Sequence, residues 1–229
     1  MQNAIGSLFL MMNCLLIAST AAEITPFVNH YRNTEKLNYI DFKLDVLITG
    51  VGLTAATYAL SKQVNISIPQ LVIQAGVAGC FDKSIELGSV FSIQKDIIAD
   101  QVVFEQSAYK NLFDLKLANA NELPYTKGWL VNTNKTLLKR SKLKQVAGIS
   151  VNEITTGKKK VDYYRKTFDP LVESMEGAAL HYVCLMEDIP FLQIRSVCNY
   201  IGERNKKKWL LKDSIVNLNK ELIRLLEGL

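Results

Sequence analysis

Residues 172–209 read VESMEGAALHYVCLMEDIPFLQIRSVCNYIGERNKKKW, and this stretch contains the signals of a helix and then of a strand. The pair Met175-Glu176 opens a short predicted helix that Pro190 ends, and an apolar strand follows and runs out at Asn199. In α/β sheets, ligand-binding groups collect at helix starts and at the carboxyl ends of strands. We therefore expect Glu176 and Asn199 to converge on one small ligand.

The remainder of the chain continues this alternation. Short apolar runs predict strands over Asn13–Ser19, Leu44–Thr49, Leu71–Gln74, Gly88–Lys95 and Val146–Thr155. Helices are predicted over Leu53–Gln63, Asn111–Ala120, Thr133–Gln145 and Leu210–Leu229, and Lys158–Phe168 suits a loop or a helix. Strands that are apolar on both faces and separated by helices are typical of a parallel sheet covered on two sides. The 229 residues therefore predict a single α/β domain with a mixed, mostly parallel central sheet flanked by helices.

The amino terminus leaves two interpretations open. Gly6–Ala22 is apolar and could be a signal peptide, but no basic side chain precedes Arg32. The run is also too short and too interrupted for a membrane span. We expect residues 1–11 to be an extension from an upstream start codon, and residues 12–229 to form the domain. Four cysteines without CxxC or metal spacing are interpreted as buried reduced thiols, which favours a cytoplasmic protein.

Charge and histidine content argue against several function classes. The net charge of +5 is spread along the chain, apart from Lys158–Lys160 and Lys206–Lys208, and does not form the patch typical of nucleic-acid binding. The two histidines are His30 and His181, and His181 falls within a predicted helix, so a zinc site is not expected. We expect no nucleic-acid or membrane partner, no metal and no cofactor.

Candidate site residues also precede this stretch. Glu23 follows the first predicted strand in IASTAAEI, where a carboxylate can reach a crevice. The alternative is an acidic residue favoured by the dipole of a helix N-terminus. After the third predicted strand, a glycine turn over Ala75–Gly79 is expected to bring the backbone of Gly76, Val77 and Ala78 close to a ligand.

Three side chains of residues 172–209 have a specific chemical interpretation. Glu176 is either an acidic residue of a first helical turn, with Ser174 as N-cap, or a carboxylate that accepts two hydrogen bonds from a vicinal diol. Asn199 either caps a strand end or presents the donor and the acceptor of its amide to a ligand. Arg195 is costly to bury unpaired, so we expect it to pair with Glu176 or a neighbouring carboxylate.

These motifs resemble the nucleoside phosphorylase and nucleosidase superfamily, and within it the futalosine hydrolase family, from about Met12 to the C-terminus. The segments that carry the resemblance are IASTAAEI, VESMEGAAL and Asn199-Tyr200 followed by Arg204-Asn205. The resemblance implies that Glu23 activates water and that Met175 and Glu176 hold the ribose. It also implies that Asn199 stands where many relatives that cleave adenine nucleosides have aspartate, which favours hypoxanthine.

The activity implied by the resemblance is that of an N-glycosidase that hydrolyses futalosine to hypoxanthine and dehypoxanthine futalosine, in menaquinone biosynthesis. Phosphorylases of the superfamily need arginine and hydroxyl side chains to bind phosphate, and the sequence has none beside Gly76–Gly79, so water is the expected nucleophile. Arg204 is either a partner for the substrate's benzoate or an exposed loop residue. Because relatives often form dimers, a homo-oligomer, specifically a dimer, is expected.

Other functions stay open. The chain could be a nucleosidase for methylthioadenosine, S-adenosylhomocysteine or 6-amino-6-deoxyfutalosine, and Asn199 argues against adenine release. It could also be a purine nucleoside phosphorylase, or a nucleoside-binding protein without turnover, and the presence of Glu23 argues against the latter. Candidates for stacking on the base are Phe81, Val151 and Phe168.

Overall fold

A computed structural model describes residues 12–33 and 42–228, so the predicted extension over residues 1–11 lies outside the described residues. The strands are β1 (Met12–Ala18), β2 (Phe42–Ile48), β3 (Leu71–Cys80), β4 (Val90–Asp96), β5 (Val102–Glu105), β6 (Ala108–Asn111), β7 (Tyr125–Thr126), β8 (Trp129–Val131), β9 (Gln145–Ser150), β10 (Val172–Ser174) and β11 (Phe191–Tyr200). The helices are α1 (Ala21–Asn33), α2 (Leu53–Ile66), α3 (Lys135–Arg140), α4 (Lys158–Phe168), α5 (Gly177–Met186) and α6 (Leu211–Glu227).

One mixed sheet forms the centre of the molecule, and β5 and β6 pair separately as a hairpin. The parallel pairs are β1–β2, β1–β3, β3–β11, β9–β10 and β4–β9, and the antiparallel pairs are β3–β10, β4–β11, β4–β8 and β7–β8. The α/β domain with a mixed sheet is as predicted, but the two kinds of pairing are nearly balanced among the described strands. Hydrogen bonds also close β3, β11, β4, β9 and β10 into a ring.

Two apolar layers attach helices to opposite faces of the sheet. In β1, Leu16 packs in a cluster with the side chains of α1 and α6, whereas its neighbours Leu15 and Ile17 pack in a cluster with α2 and α5. Successive residues of a strand point to opposite faces, so a strand buried on both sides must be apolar at every position. No helix among the described residues is long and apolar enough to cross a membrane.

Three predicted elements differ from the structure. The glycine turn predicted over Ala75–Gly79 is wrong: these residues continue β3, because β11 pairs with them along their whole length. Residues 111–120 form turns and no helix, since the Asn111 side chain accepts hydrogen bonds from the backbone N–H groups of Phe113 and Asp114. The helix predicted over Thr133–Gln145 is limited to α3, and Lys142 after it has a left-handed φ of 56°.

Candidate active site

A cavity of about 210 Å³ lies beyond the ends of β1, β9, β10 and β11 and over the last residues of β3. Its wall combines polar groups with apolar surface from segments that are distant in the sequence. The lining residues are Ser19, Glu23, Val51, Val77, Ala78, Gly79, Ile154, Thr155, Glu173, Ser174, Met175, Glu176, Cys198, Asn199, Ile201, Gly202, Glu203, Arg204 and Trp209.

Glu23 is buried in the first turn of α1 and held by hydrogen bonds to both carboxylate oxygens. Oε2 accepts from Ser19 Oγ at 2.5 Å, Thr20 N at 3.0 Å and Thr20 Oγ1 at 3.2 Å. Oε1 accepts from the backbone N–H of Val77 at 3.1 Å. The carboxylate therefore has a fixed orientation at the cavity wall, set jointly by the end of β1 and by β3.

Arg195 lies in β11 beneath this wall and is almost fully buried. Its Nη2 donates to Gln74 Oε1 at 2.8 Å, and its Nη1 lies 3.7 Å from Glu176 Oε2. The guanidinium crosses Gly76, where an added Cβ would clash with Nη1 and would lie 3.1 Å from Glu23 Oε1. Because residue 76 has no side chain, the Arg195 guanidinium can lie against β3 and reach Glu176, with Glu23 close by.

Glu176 stands at the end of the loop between β10 and α5. Its Oε1 accepts from Gly52 N at 3.0 Å, and its side chain does not cap the helix. Burial raises the pKa of Glu176, while the nearby Arg195 and the Gly52 N–H lower it. The helix begins at Gly177 rather than at Met175, and Ser174 Oγ accepts from the Gly177 N–H at 3.2 Å.

Asn199 lines the cavity beside an irregularity of β11. The register with β3 shifts between Val197 and Asn199, so Cys198 is an extra residue in this pairing. Such a β-bulge breaks the alternation of faces, and both Cys198 and Asn199 line the cavity. Asn199 Nδ2 donates to Tyr200 O at 3.1 Å, which leaves the second hydrogen of the amide for a ligand.

The rim of the cavity is the segment that follows β11. Trp209 Nε1 donates to Glu203 O at 3.1 Å, and the Arg204 guanidinium lies 5.9 Å from the Trp209 ring centre. Lys208 pairs with Glu203 at 2.9 Å, with both side chains partly exposed. Among the described lining residues, Arg204 is the one with a positive charge, so an anionic group of a ligand would be attracted to the rim of the cavity.

A family profile described as the phosphorylase superfamily matches residues 16–229. The chain belongs to this superfamily. Among named relatives, the 5′-methylthioadenosine/S-adenosylhomocysteine nucleosidase of Pseudoalteromonas translucida is 23% identical over 192 residues, covering 79% of this chain and 78% of the relative. The futalosine hydrolase of Thermus thermophilus is 24% identical over 183 residues, covering 79% and 80%.

Solved structures share the fold over almost the whole chain. A Helicobacter pylori 5′-methylthioadenosine/S-adenosylhomocysteine nucleosidase with butyl-thio-DADMe-Immucillin-A matches with a TM-score of 0.79 and 18% identity, over 96% of this chain and 99% of its own. The Helicobacter pylori futalosine hydrolase matches with a TM-score of 0.78 and 17% identity, over the same shares. The superfamily and the N-glycosidase class expected from the sequence are confirmed, and these structures by themselves show the fold.

The structure brings most of the predicted site residues of this superfamily member to one cavity. Two of them, Gly76 and Arg195, lie behind the wall, and Arg195 pairs with Glu176 as expected. The three stacking candidates do not line the cavity: Phe81, Val151 and Phe168 pack in an apolar cluster behind it. Their aromatic and β-branched side chains contribute to the packing of that cluster.

Several lining residues had no individual sequence signal. Ile154 and Thr155 follow β9, and Glu173 lies in β10 between two residues of the VESMEG motif. A charged residue in a buried strand is rarely unpaired, which indicates that Glu173 has a partner, but the sequence does not indicate which one. Trp209 could not be found from the sequence, because it reaches the cavity through a loop whose path the sequence does not indicate.

The expectation that no arginine lies beside Gly76–Gly79 is wrong. An arginine does lie beside Gly76, because β11 brings Arg195 there from a distant part of the chain. That guanidinium is engaged by Gln74 and Glu176, and the Val77 N–H is taken by Glu23.

Within residues 12–33 and 42–228, no three His, Cys, Asp or Glu side chains are grouped so as to hold a metal ion.

Proposed function

We propose that this member of the phosphorylase superfamily hydrolyses the N-glycosidic bond of a purine nucleoside with a 6-oxo base, and that its substrate is futalosine. The products are hypoxanthine and dehypoxanthine futalosine, a step of menaquinone biosynthesis. The observation that carries the proposal is a carboxamide, Asn199, in the same cavity as the fixed carboxylate of Glu23. One group suits a 6-oxopurine and the other suits activation of water.

In the proposed mechanism, Glu23 is the general base. Its carboxylate removes a proton from a water molecule as this attacks C1′. The bond from C1′ to N9 of the base breaks ahead of the attack, so positive charge develops on the sugar as in other glycoside cleavages. Several hydrogen bonds fix the orientation of Glu23 before substrate arrives, so little reorganisation is needed when the charge develops.

Ribose binding is assigned to Met175 and Glu176. An ionised carboxylate accepts hydrogen bonds from two vicinal hydroxyls, and Met175 supplies apolar surface to the sugar. Burial favours the protonated form of Glu176 by raising its pKa, and Arg195 opposes this. We infer that Arg195 is a positioning residue: it keeps Glu176 charged and oriented from beneath the cavity floor.

Base departure is assigned to Asn199. In a 6-oxopurine, O6 and N7 are both acceptors, so a carboxylate facing O6 would be repelled. The Asn199 amide can donate to O6, and its oxygen can accept from N7 once that nitrogen gains a proton. The proton on N7 comes from solvent water, and Glu23 returns the proton that it removed from the nucleophile to solvent. Protonation lowers the barrier to cleavage, because the base then leaves C1′ as a neutral molecule.

Water is favoured over phosphate as the nucleophile by the charges of the cavity. Glu23, Glu173 and Glu176 line it together, and the neighbouring guanidinium of Arg195 is already paired. A dianion placed among these carboxylates would lack the bidentate partner that phosphate sites use. Arg204 at the rim suits the distal benzoate of futalosine instead.

A second candidate is a nucleosidase that releases adenine. Several named relatives are 5′-methylthioadenosine/S-adenosylhomocysteine nucleosidases, at identities similar to that of the futalosine hydrolase. The same cavity would serve this reaction if the base were held through other groups. Asn199 and the cationic rim favour futalosine.

Association and location belong to the same proposal. The exposed apolar side chains Tyr58, Ile66 and Ile68 support a homodimer, since such surface is commonly covered by a second subunit. All four cysteines are free and buried, which supports a reducing cytoplasm.

The deciding experiment is to incubate the purified protein with futalosine, inosine or methylthioadenosine in phosphate-free buffer and to identify the freed base. We expect hypoxanthine from futalosine at the highest kcat/KM, with no stimulation by phosphate. Asn199→Asp should lower kcat/KM for futalosine by about 100-fold and raise relative cleavage of adenine nucleosides. Adenine as the main product of the wild type, or an unchanged base preference in the variant, would refute the proposal.

A further inference from the structure

Glu173 is a cavity-lining carboxylate that the proposed mechanism leaves unused. It is 6% exposed and lies in β10, three residues before Glu176. Its Oε1 accepts from the Thr155 N–H at 3.1 Å, whereas Oε2 has no hydrogen-bond partner among the described residues. A buried carboxylate oxygen without a donor is costly unless a ligand supplies one.

The strand pairing places Glu173 opposite Asn199. Gly79 of β3 has Glu173 as its register partner on one side and Asn199 as its partner on the other. Neighbouring strands lie about 4.8 Å apart, so the two Cα atoms are separated by roughly 10 Å with a glycine between them. Directly paired residues project to the same face of a sheet, and all three residues line the cavity.

The side chain of Ile201 lies over Gly79, between Glu173 and Asn199. An added Cβ there would lie 2.6 Å from Ile201 Cδ1 and 3.4 Å from Asn199 Nδ2. Ile201 also lines the cavity, so a flat group could lie against its apolar surface with the carboxamide at one edge and the carboxylate at the other. The carboxamide offers a donor and an acceptor, whereas the ionised carboxylate offers acceptors alone.

A 6-oxopurine matches this arrangement on both edges. Its O6 and N7 are acceptors, and its Watson–Crick edge carries a donor, the N1–H. Adenine has an acceptor at N1, which the Glu173 carboxylate would repel, whereas the Asn199 amide can pair with N6 and N7 of the unprotonated base. Glu173 therefore carries the discrimination between the two free bases. A protein that reads a free base in this way rejects the analogue that leaves its buried groups unpaired.

We propose that Glu173 is a second specificity residue for the base and accepts the N1–H of a 6-oxopurine while Asn199 binds the O6 and N7 side. The inference rests on the proposed function and extends it from one base-reading side chain to two. Glu173 touches the base and takes no part in proton transfer to water.

The test uses free bases as inhibitors of whichever nucleoside the wild type turns over fastest. Hypoxanthine should inhibit at least about 100-fold more tightly than 1-methylhypoxanthine, whose N1 has no hydrogen. Glu173→Gln keeps an oxygen for the Thr155 N–H but presents an amide donor as well. We expect it to weaken hypoxanthine binding by about 10- to 100-fold and to change adenine binding little or improve it.

Glu153→Gln is the matched control, because this mostly exposed carboxylate pairs with Lys160 of α4 and does not line the cavity. Its inhibition constants should equal those of the wild type. Equal weakening of all three bases by Glu173→Gln, or wild-type binding of 1-methylhypoxanthine as tight as that of hypoxanthine, would overturn the inference. The second comparison needs no variant, so it decides even if Glu173→Gln does not fold.

Failure of this inference can be told apart from failure of the proposed function. If the wild type releases hypoxanthine from futalosine but fails the inhibitor test, Glu173 has a structural role and the activity stands. If the wild type releases adenine instead, the activity is wrong, and the inhibitor series still measures whether Glu173 reads N1.

Discussion

At the scale of single residues, three carboxylates share one cavity and differ in what holds them. Glu23 has both oxygens fixed by hydroxyl and backbone donors, Glu176 has a backbone N–H and an arginine, and Glu173 keeps one oxygen free. Different environments give similar groups different roles, which is how active sites separate a base from binding groups. The fixed Glu23 suits the general base.

Replacing Glu23 tests that role. Glu23→Gln retains an oxygen for the Val77 N–H but cannot take a proton from water, so kcat should fall by at least about 100-fold with little change in KM. Thr25→Ala, an exposed change in the same helix, is the control and should leave kcat unchanged. Steady-state kinetics on futalosine measure both, and a Glu23→Gln enzyme within threefold of the wild type would exclude Glu23 as the base.

Site residues at strand ends and helix starts could be predicted from the sequence where a single polar residue interrupts an apolar pattern. Glu23, Glu176 and Asn199 stand at such positions, and Arg195 in an apolar strand demanded a carboxylate partner. Glu173 was missed because its value depends on the pairing of β10 with β3, which brings it opposite Asn199. That pairing joins segments about a hundred residues apart, and no local pattern indicates it.

At the scale of elements, β3 is the strand around which the site is built. It pairs with β1, β10 and β11 and carries Gly76 and Gly79 at the places where other side chains cross it. The glycine-rich run suggested a turn, because glycine in a strand is unfavourable in itself. Here the cost is offset by the buried arginine that crosses Gly76 and by the room that Gly79 leaves for the Ile201 side chain.

A methyl group on Gly76 should be severely destabilising. Gly76→Ala would force the buried Arg195 guanidinium away from Glu176 and Gln74, and breaking a buried ion pair costs about 3 kcal/mol or more. Gly157→Ala is the matched control, because nothing lies within 4 Å of its added Cβ. Urea unfolding of both variants measures the difference, and equal midpoints would show that Arg195 moves at no cost.

At the scale of the whole molecule, a cluster of buried polar side chains lies where α5 packs on the sheet: Asp96 of β4, His181 of α5, and Gln193 and Arg195 of β11. Burial raises the pKa of Asp96 to about 6, and burial lowers the pKa of His181 to about 4. Gln193 and Arg195 influence both side chains. The folded state thus favours the neutral forms of an acid and a base together.

The two shifts have opposite consequences for stability as a function of pH. The protonated Asp96 stabilises the fold below about pH 4, and this stabilisation is lost as the pH rises through about 6. The neutral His181 stabilises the fold above about pH 6.5, and this stabilisation is lost as the pH falls through about 4. Each shift changes the free energy of unfolding by about 3 kcal/mol across its pH range, and because the signs are opposite the two pH dependences nearly cancel between about pH 4 and pH 6.

Asp96→Asn should expose the histidine contribution. We expect the Tm of this variant to fall more steeply than that of the wild type between pH 6.5 and pH 4. Asp162→Asn, an exposed change in α4, is the control and should follow the wild type. Calorimetry at several pH values gives the slopes, and identical slopes for Asp96→Asn and the wild type would contradict the assignment.

The sequence predicted the class of the fold, but it did not predict that five strands of the sheet close into a ring. Apolar runs separated by helices were enough to predict an α/β domain with a mixed sheet. The ring of β3, β11, β4, β9 and β10 depends on β4 and β10 each having one parallel and one antiparallel neighbour. Strand direction is set by the course of the loops, and residues 96–145 gave little periodic signal from which to infer it.

The bulge in β11 has a consequence for inhibitor chemistry. By adding Cys198 to the wall next to Asn199, it puts a thiol within the cavity, while the other three cysteines are buried elsewhere. Burial raises the Cys198 pKa to about 11, so the thiol is unreactive toward reagents free in solution. A nucleoside analogue with a mild electrophile near its base would hold the reacting atoms together and so label this one sulfur.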